Sequence, residues 1–284
     1  MTIFRYNKGA KRGSIMIYAM SDIHGCMDEL ETNMRYISLD GGDQVIFLGD
    51  YLDYGWKSRQ VLEYIYGLSR KYDEKHLVVL RGNHEAMFLD WIHSYEKPPR
   101  DEADTRIFND WLRTEFESGA KTIRSFLSEE AFASIETFAR DASFDQINHE
   151  VIRLIMEEHR DAIGWIATLP KYYETDTQIF VHAGVDEEAG EGWKWGASDS
   201  TFLWTFQAAK GHFYKDVIAG HLGTCEPQLS GDRSFHDIFH DGESHFYIDG
   251  SVYRKGGKLN LLAFDETNGA YYSVQTDGSR IRLR

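Results

Sequence analysis

The feature that most constrains the fold is an alternation of short apolar runs with amphipathic segments over the first eighty residues. The run at 15–20 is almost continuously apolar, as in a strand that is covered on both faces. Two further runs follow at 44–48 and 76–80, and the segments between them, 27–37 and 58–71, space their apolar residues as helices do. Strands that alternate with helices form parallel sheets, so the sequence predicts an α/β layer fold.

The rest of the chain predicts further strands. Runs at 178–181 and 216–219 resemble those near the start of the chain. The runs at 245–248, 258–264 and 270–274 are separated by glycine-rich turns, which suggests a closing set of antiparallel strands.

A long middle segment, from residue 86 to about residue 168, has a helical pattern throughout. Its two apolar faces contain Phe108, Trp111, Leu112 and Phe116, and then Ile147, Val151, Leu154 and Ile155. No cluster of chemically active side chains accompanies these helices. We therefore expect a single domain over 1–284 in which 86–168 is an inserted helical cap or a lateral packing layer.

Composition and charge limit the classes of function. The 284 residues are 42% hydrophobic and 27% charged, which is ordinary for a globular protein. A net charge of −15 repels nucleic acids and anionic membranes, so we expect neither as a partner. No apolar run approaches the roughly 18 residues of a transmembrane helix. Cys26 and Cys225 cannot form a disulfide framework, which favours a reducing, cytoplasmic location.

Five polar clusters follow predicted strands. They read Asp22-Ile23-His24-Gly25, Gly49-Asp50-Tyr51-Leu52-Asp53-Tyr54-Gly55, Gly82-Asn83-His84-Glu85, His182-Ala183-Gly184 and Gly220-His221. Loops at the carboxyl ends of strands build the binding crevice of open α/β sheets, so we expect these clusters to meet. Carboxylate, imidazole and amide donors together suit two divalent cations such as manganese, iron or zinc.

Each cluster also has an ordinary structural interpretation when it is taken alone. Asp22 and His24 could be a capping aspartate and a packing histidine, and Asn83 and Glu85 could belong to the first turn of a helix. The order of the five clusters and their shared position after strands favour one common metal site.

The same motifs, in this order, resemble the phosphoprotein-phosphatase branch of the calcineurin-like metallophosphoesterases, and within it the compact bacterial and phage members. That family carries Asp-x-His-Gly, Gly-Asp-x-x-Asp-Arg-Gly, Arg-Gly-Asn-His-Glu, His-Ala-Gly and Gly-His, and the match spans residues 22–221. The third motif, from Arg81 to Glu85, is complete and is the most specific. The resemblance implies a two-sheet α/β/β/α sandwich with a helical insertion.

The resemblance also implies a centre of two divalent metal ions, with manganese expected and iron or zinc as alternatives. In such a centre a hydroxide between the metals attacks the phosphorus of a phosphomonoester. The implied ligands are Asp22 and His24 for one ion, Asn83, His182 and His221 for the other, and Asp50 as the bridge.

The implied general acid is His84, which would protonate the leaving oxygen. Asp53 would hydrogen-bond to His84 and stabilise the imidazolium. An acid histidine needs a carboxylate partner, and Asp53 is not required as a ligand if Asp50 bridges the metals.

Two departures from the family pattern concern residues that would bind the substrate phosphate. Tyr54 stands where the family usually has the arginine of Asp-Arg-Gly, and Phe206 ends a Leu-Trp-x-Arg pattern. Tyr54 and Phe206 could form a stacking surface for a base or an aryl group, or could simply pack. The candidates for a substitute positive charge are Lys57, Arg59, Lys194 and Lys215, and Arg81 of the third motif is a further candidate substrate-binding residue.

Three functions follow from these observations. The family-typical one is a phosphoesterase that acts on phosphoserine or phosphothreonine in proteins. The second is a hydrolase of nucleotides or dinucleoside polyphosphates, since aromatic replacements suit a base better than a bare phosphate. The third is a binding protein that retains metals without turnover.

Overall fold

Two β-sheets pack face to face in the computed structural model, which describes residues 3–4, 15–94 and 118–284. This arrangement confirms the predicted two-sheet α/β fold. The strands are β1 (Ile3–Phe4), β2 (Met16–Met20), β3 (Gln44–Phe47), β4 (Leu77–Val79), β5 (Tyr172–Glu174), β6 (Gln178–Val181), β7 (Asp216–Ala219), β8 (Phe239–His240), β9 (His245–Tyr247), β10 (Leu261–Asp265), β11 (Ala270–Val274) and β12 (Arg280–Arg282).

The α-helices of the described residues lie on the outer faces of the sheets. They are α1 (Met27–Met34), α2 (Ser58–Ser69), α3 (Asn83–Ser94), α4 (Ser118–Phe126), α5 (Glu129–Phe138), α6 (Phe144–Thr168) and α7 (Asp199–Trp204). Within the described ranges, none of these helices combines the length and the apolar character that crossing a membrane requires.

The strand order places the parallel strands at one end of the first sheet and at the centre of the second. The first sheet runs β1-β12-β11-β10-β2-β3-β4, and the second runs β5-β6-β7-β9-β8. Strands β2, β3 and β4 are parallel to one another, as are β6, β7 and β9. The carboxyl ends of the parallel strands within each sheet therefore lie at one edge of that sheet.

Strand β2 shows why its sequence is apolar throughout. Ile17 and Ala19 pack between the sheets with Phe180 of the second sheet, whereas Tyr18 and Met20 pack against the helices. Successive side chains of a strand point to opposite faces, so a strand that is covered twice needs apolar residues at every position.

The predicted strands are confirmed, with one error of pairing. The bounds of β6, β7 and β11 match the predicted runs, and β10 and β11 form the expected antiparallel pair. Strand β9 was expected in that antiparallel set, but it lies in the second sheet, parallel to β7, with His245 opposite Val217. A parallel neighbour requires a long crossover, here 220–244, and a short apolar run carries no information about which partner it takes.

The middle segment is helical where it is described, in α3 to α6. The predicted face at Phe108, Trp111, Leu112 and Phe116 lies outside the described residues. Helix α6 begins with a capping box between Ser143 and Gln146. Helix α4 packs against α2, and α6 packs against α2 and α3, so this layer covers the helical side of the first sheet.

A buried ion-pair cluster attaches the 3₁₀ segment Glu187–Gly192 to the second sheet. The side chain of His245 is buried, with Nδ1 2.9 Å from an Asp241 oxygen and Nε2 2.7 Å from a Glu187 oxygen. Burial alone would lower the pKa of His245, but the two carboxylates outweigh it and raise the pKa.

Replacement of His245 by glutamine should destabilise the protein by about 3 kcal/mol, because two carboxylates lose their cationic partner. A raised histidine pKa stabilises the fold fully below the unfolded value of about 6.5, and this contribution disappears as the pH rises through the folded value. Urea unfolding of wild type and His245→Gln at pH 6 and pH 10 should show the smaller difference at pH 10. His212→Gln, at an exposed histidine, is the control. An equal difference at both pH values would contradict the ion-pair assignment.

Candidate metal centre

The polar clusters meet in a cavity of ≈ 400 Å³ at the edge where the parallel strands end. The structure brings together all six predicted metal ligands. Asp22, His24, Asp50, Asn83 and His221 line the cavity, and His182 lies fully buried beside Asp50. The donor atoms form two groups, one containing His24 and Asp50 and the other containing Asp50, His182 and His221.

Asp50 is the member that the two groups share. Its Oδ2 lies 3.7 Å from Nε2 of His24, and its Oδ1 lies 3.4 Å from Nε2 of His182. On the first side, Oδ1 of Asp22 is 3.9 Å from His24 Nε2, and on the second, Oδ1 of Asn83 is 2.7 Å from His182 Nε2. The two carboxylate oxygens of Asp50 therefore face different sets of donors.

Backbone carbonyls fix the orientation of two of the histidines. Nδ1 of His24 donates to the carbonyl of Leu52 at 2.7 Å, and Nδ1 of His182 donates to the carbonyl of Leu48 at 3.1 Å. Burial lowers the pKa of both rings well below the usual value, so both are neutral and their Nε2 lone pairs point into the site.

His221 completes the set of neutral imidazoles. Burial, followed by the charge of His84, lowers the pKa of His221 to about 4. Its Nε2 is buried and has no hydrogen-bond partner among the described residues. A buried polar atom without a partner is costly, and a metal ion would supply the missing partner.

The carboxylates of the site repel one another. Burial, Asp249 and Asp50 raise the pKa of Asp22 well above its usual range, and burial raises the pKa of Asp50 to about 8 and that of Asp249 to about 6. Buried carboxylates this close together require positive charge to stay ionised. The donor set and its charge therefore fit divalent cations.

Backbone strain is concentrated at the same place. The non-glycine residues with positive φ in the described ranges are Asp22, His24, Asp50, Asp53, Tyr54, His221 and Ser251. Six of them line the cavity, and Asp53 contacts the lining residue His84. Such conformations cost about 1–3 kcal/mol each and persist where the surroundings determine them strongly.

Two glycines let the backbone approach the carboxylate ligands. A Cβ at Gly82 would lie 2.1 Å from Oδ1 of Asp50, and a Cβ at Gly220 would lie 2.3 Å from Oδ2 of Asp22. The polypeptide can pass these carboxylates only without a side chain.

The carboxylate of Glu85 organises the loop that carries Asp50. Its Oε2 accepts from the amides of Asp50 and Gly82 at 2.8 and 2.9 Å, and its Oε1 accepts from those of Tyr51 and Leu52 at 2.8 and 3.2 Å. Burial raises the pKa of Glu85, while these backbone hydrogen bonds oppose the rise. Glu85 therefore joins the loops after β3 and β4 and fixes their spacing.

His84 and Asp53 form the predicted pair. Nδ1 of His84 lies 2.6 Å from an Asp53 oxygen, and Nε2 lies 3.8 Å from Oδ2 of Asp50. Burial lowers the pKa of His84, but Asp50 and Asp53 more than compensate and raise it to about 9. His84 also lies close enough to His24 and Asp50 to count as a metal donor. A ring that is protonated at Nε2 and held through Nδ1 is better suited to donate a proton.

Thr122, in the helical segment to which the sequence assigns no chemistry, completes this pair. Its hydroxyl donates to the second carboxylate oxygen of Asp53 at 2.5 Å. The amide of Asp53 in turn donates to Oγ1 of Thr122 at 2.9 Å and to Oγ of Ser58 at 3.1 Å. Thr122 is fully buried on α4. A single threonine in an amphipathic helix carries no sequence signal that could reveal this contact.

Asp249 is a further site residue that the sequence analysis missed. It lines the cavity, and its carboxylate accepts from the amide of Ser251 at 2.6 Å. A signal for it was present, because Asp249-Gly250 follows the apolar run of β9 just as the other clusters follow their strands.

The two aromatic replacements both line the cavity. Tyr54 lines the cavity and stacks on Tyr253, with ring centroids 4.0 Å apart and planes 8° from parallel. Phe206 lines another part of the wall, 4.4 Å from the ring of His221.

The cations predicted to bind the substrate form ion pairs outside the cavity. Lys57 is hydrogen-bonded to Asp28 at 2.7 Å, and Arg81 lies 3.7 Å from Asp199. Neither side chain lines the cavity. The remaining candidates also form ion pairs away from it, Arg59 with Glu63 and both Lys194 and Lys215 with Glu174.

Arg254 is the arginine that does line the cavity, and the described residues offer no other arginine or lysine there. The sequence analysis missed it. It lies five residues beyond Asp249 in the same loop, so an inspection of the residues after β9 would have found both.

Comparison with known proteins agrees with this geometry. The sequence model of the calcineurin-like phosphoesterases matches residues 15–225, and the chain belongs to that family.

Curated relatives share part of the chain. A protein of Chromobacterium violaceum named "Bis(5'-nucleosyl)-tetraphosphatase, symmetrical" is 30% identical over 106 residues, which are 34% of this chain and 36% of the relative. A protein of the same name from Nitrosococcus oceani is 35% identical over 74 residues, or 26% of this chain and 25% of the relative. The matches thus span little more than a third of these relatives at most.

Solved structures share the fold at low sequence identity. A cold-active protein-tyrosine phosphatase of a psychrophilic Shewanella species has a TM-score of 0.52 at 16% identity, covering 96% of this chain and 81% of its own. A candidate diadenosine tetraphosphatase has a TM-score of 0.50 at 15% identity, covering 92% and 93%. These likenesses support the fold.

Replacement of Glu85 by glutamine should disrupt the two loops, after β3 and β4, that carry Asp50 and Asn83. The amide group would present its N–H atoms to backbone donors, leaving buried amides without an acceptor at about 1–3 kcal/mol each. We expect a lower unfolding free energy in urea and less manganese bound per chain. Glu129→Gln, at an exposed glutamate, should stay within about 0.5 kcal/mol of wild type. Wild-type stability and metal content in Glu85→Gln would show that the four hydrogen bonds are dispensable.

Proposed function

We propose that this chain is a two-metal phosphoesterase that hydrolyses phosphate esters of nucleotides. One observation carries the proposal. Asp50, whose two oxygens face separate donor groups, lies 3.8 Å from Nε2 of His84, so the metal site and a protonated imidazole share one cavity. A phosphate bound at the metals would thus have a proton donor beside its leaving oxygen.

The proposed metal ligands form two sets that share Asp50. When bound, the two cations would supply an activated water and would neutralise charge on the phosphoryl oxygens. Mixed carboxylate, imidazole and amide donors suit manganese, with iron and zinc as alternatives. We assign Asp22 and His24 to one ion, Asn83, His182 and His221 to the other, and Asp50 to both.

The proton is handled by residues of the chain itself. His84 donates from Nε2 to the leaving oxygen, and Asp53 stabilises the imidazolium through Nδ1. Thr122 donates a hydrogen bond to the other oxygen of Asp53 and so restrains the orientation of that carboxylate. His84 is the catalytic acid in this proposal, and Asp53 and Thr122 position it.

Aromatic walls support a nucleotide over a phosphoprotein as substrate. The stacked pair of Tyr54 and Tyr253 and the exposed ring of Phe206 flank the metal site, and a base can stack on such surfaces. The partial relatives from C. violaceum and N. oceani bear the name of nucleotide hydrolases, which agrees with this choice. Phosphoserine and phosphothreonine would meet these rings without using them.

We propose a cytoplasmic location for the protein. Cys26 and Cys225 are both free thiols. Free thiols are the ordinary state of cysteine in a reducing compartment. Measurement of both thiols in protein isolated from its own cell would test this assignment, and a disulfide between them would contradict it.

A substrate panel tests the activity. With manganese present, kcat/KM should be at least about tenfold higher for AMP, ADP or diadenosine tetraphosphate than for a phosphoserine peptide, since base stacking is worth roughly 1–3 kcal/mol. A preference for the peptide would overturn the nucleotide assignment. Failure of the metal-loaded protein to turn over any of these compounds, or p-nitrophenyl phosphate, would leave a metal-binding protein without activity.

Loss of Asp50, the proposed bridging ligand, should lower metal binding and turnover more than loss of any other proposed ligand. Asp50→Asn removes one charge that faces both donor groups, whereas Asp22→Asn and His221→Ala each affect one group. We therefore expect Asp50→Asn to lower both manganese content and kcat more than either of the other variants. Elemental analysis of the purified proteins checks this order. Two metals per chain and normal turnover in Asp50→Asn would refute the bridging role.

His84→Ala should separate acid catalysis from metal binding. Removal of a general acid costs about 10²–10⁴-fold on a poor leaving group such as a nucleoside, but far less on p-nitrophenolate, which hardly needs a proton. The variant should retain its manganese, because the proposed ligands remain. Equal losses on AMP and p-nitrophenyl phosphate would show that His84 serves binding or structure instead.

A further inference from the structure

The charge of the cavity is unbalanced on its outer side. Asp249 and Glu226 line the wall together with the proposed metal ligands, and besides the protonated His84 the described residues contribute Arg254 as a cation. Two divalent cations would attract one phosphate group to the metals. A second phosphate further out would meet Asp249 and Glu226, so Arg254 alone could attract it.

A continuous row of rings leads from the metal site to Arg254. Tyr54 lies 4.7 Å from the ring of His24 and 5.3 Å from that of His84, and Tyr253 stacks on Tyr54. The guanidinium carbon of Arg254 lies 5.5 Å from the centroid of Tyr253. Tyr253 thus supports Arg254 as an aromatic platform, and the contact limits the motion of a long side chain.

This position argues against a role on the reacting phosphate. An arginine at position 54 would adjoin His84 directly, as the family pattern has it. Arg254 instead contacts Tyr253, the ring of the stacked pair that lies farther from His24, at 5.2 Å between centroids against 4.7 Å for Tyr54. Its guanidinium is therefore better placed to contact a group adjacent to the reacting phosphate than that phosphate itself.

The guanidinium of Arg254 is not saturated by a carboxylate. Its Nη1 lies 3.8 Å from Oε1 of Glu226, and both side chains are partly exposed. Charged hydrogen bonds are about 2.7–2.9 Å long, so this pair is an ion pair without a hydrogen bond. Arg153, by comparison, reaches Glu150 and Glu157 at 2.6 and 2.5 Å. Arg254 can accordingly turn its planar donors toward a phosphate.

We propose that Arg254, supported by Tyr253, forms a subsite for a second phosphate of the substrate, adjacent to the phosphate that is hydrolysed. The inference rests on the proposed function and narrows it. The preferred substrates carry at least two linked phosphates, as nucleoside diphosphates and dinucleoside polyphosphates do, and a monophosphate leaves the subsite empty.

The test compares ADP with AMP, which differ by one phosphate. In the manganese-loaded protein, Arg254→Ala should lower the ratio of kcat/KM for ADP to kcat/KM for AMP by about 10–100-fold, the value of a charge-assisted contact. Arg254→Lys should recover part of the ratio, because lysine keeps the charge but not the fork. Lys255→Ala removes a neighbouring exposed charge outside the cavity lining and should leave the ratio as in wild type.

Two results would overturn the subsite. An unchanged ratio of kcat/KM for ADP to kcat/KM for AMP in Arg254→Ala would mean that Arg254 binds no second phosphate. Equal losses on ADP and AMP would mean that it serves the reacting phosphate or merely neutralises Glu226, and recovery in Arg254→Ala/Glu226→Gln would identify the latter.

A binding measurement keeps the subsite testable if the proposed activity fails. Titration calorimetry on the manganese-loaded protein can compare α,β-methylene-ADP with AMP. Arg254→Ala should weaken the diphosphate analogue by about 10–100-fold and AMP much less. That outcome supports the subsite even without turnover, whereas equal affinities in wild type and variant for the analogue would reject it.

Discussion

The carboxylate of Glu85 is the interaction on which the site depends. Four backbone amides from two loops donate to its two oxygens. A buried carboxylate is stable only when it is hydrogen-bonded in this way, and the amides are satisfied only by it. This mutual requirement fixes the turn that carries Asp50 and the start of the helix that carries Asn83 and His84.

The unfavourable free energy of the site is offset by packing in the rest of the fold. Strained backbone at the ligands, unpartnered imidazole nitrogen and crowded carboxylates all oppose folding when the site is considered alone. Two sheets that bury apolar residues on both faces of β2 and its neighbours hold the loops in place. The proposed metal ligands sit on turns between strands that the packed core holds in place.

The sequence predicted what is local and missed what depends on packing. Asp22, Asp50, Asn83, His182 and His221 could be recognised because each follows an apolar run directly. Thr122 could not, since its contact with Asp53 depends on how α4 packs against α2. The charges of Lys57 and Arg81 gave no indication that Asp28 and Asp199 would hold them away from the cavity. The parallel pairing of β9 was hidden for the same reason, because a short apolar run fits either sheet.

The hydroxyl of Thr122 changes the status of the helical segment. A layer that only packs could be shortened, exchanged between relatives or replaced by a different helix pair. This one ends a chain of hydrogen bonds that runs from His84 through Asp53 into α4. A graft that kept every residue of the five motifs but omitted α4 would open the fully buried carboxylate of Asp53 to water. The segment and the motifs are therefore one structural unit, joined at the carboxylate of Asp53.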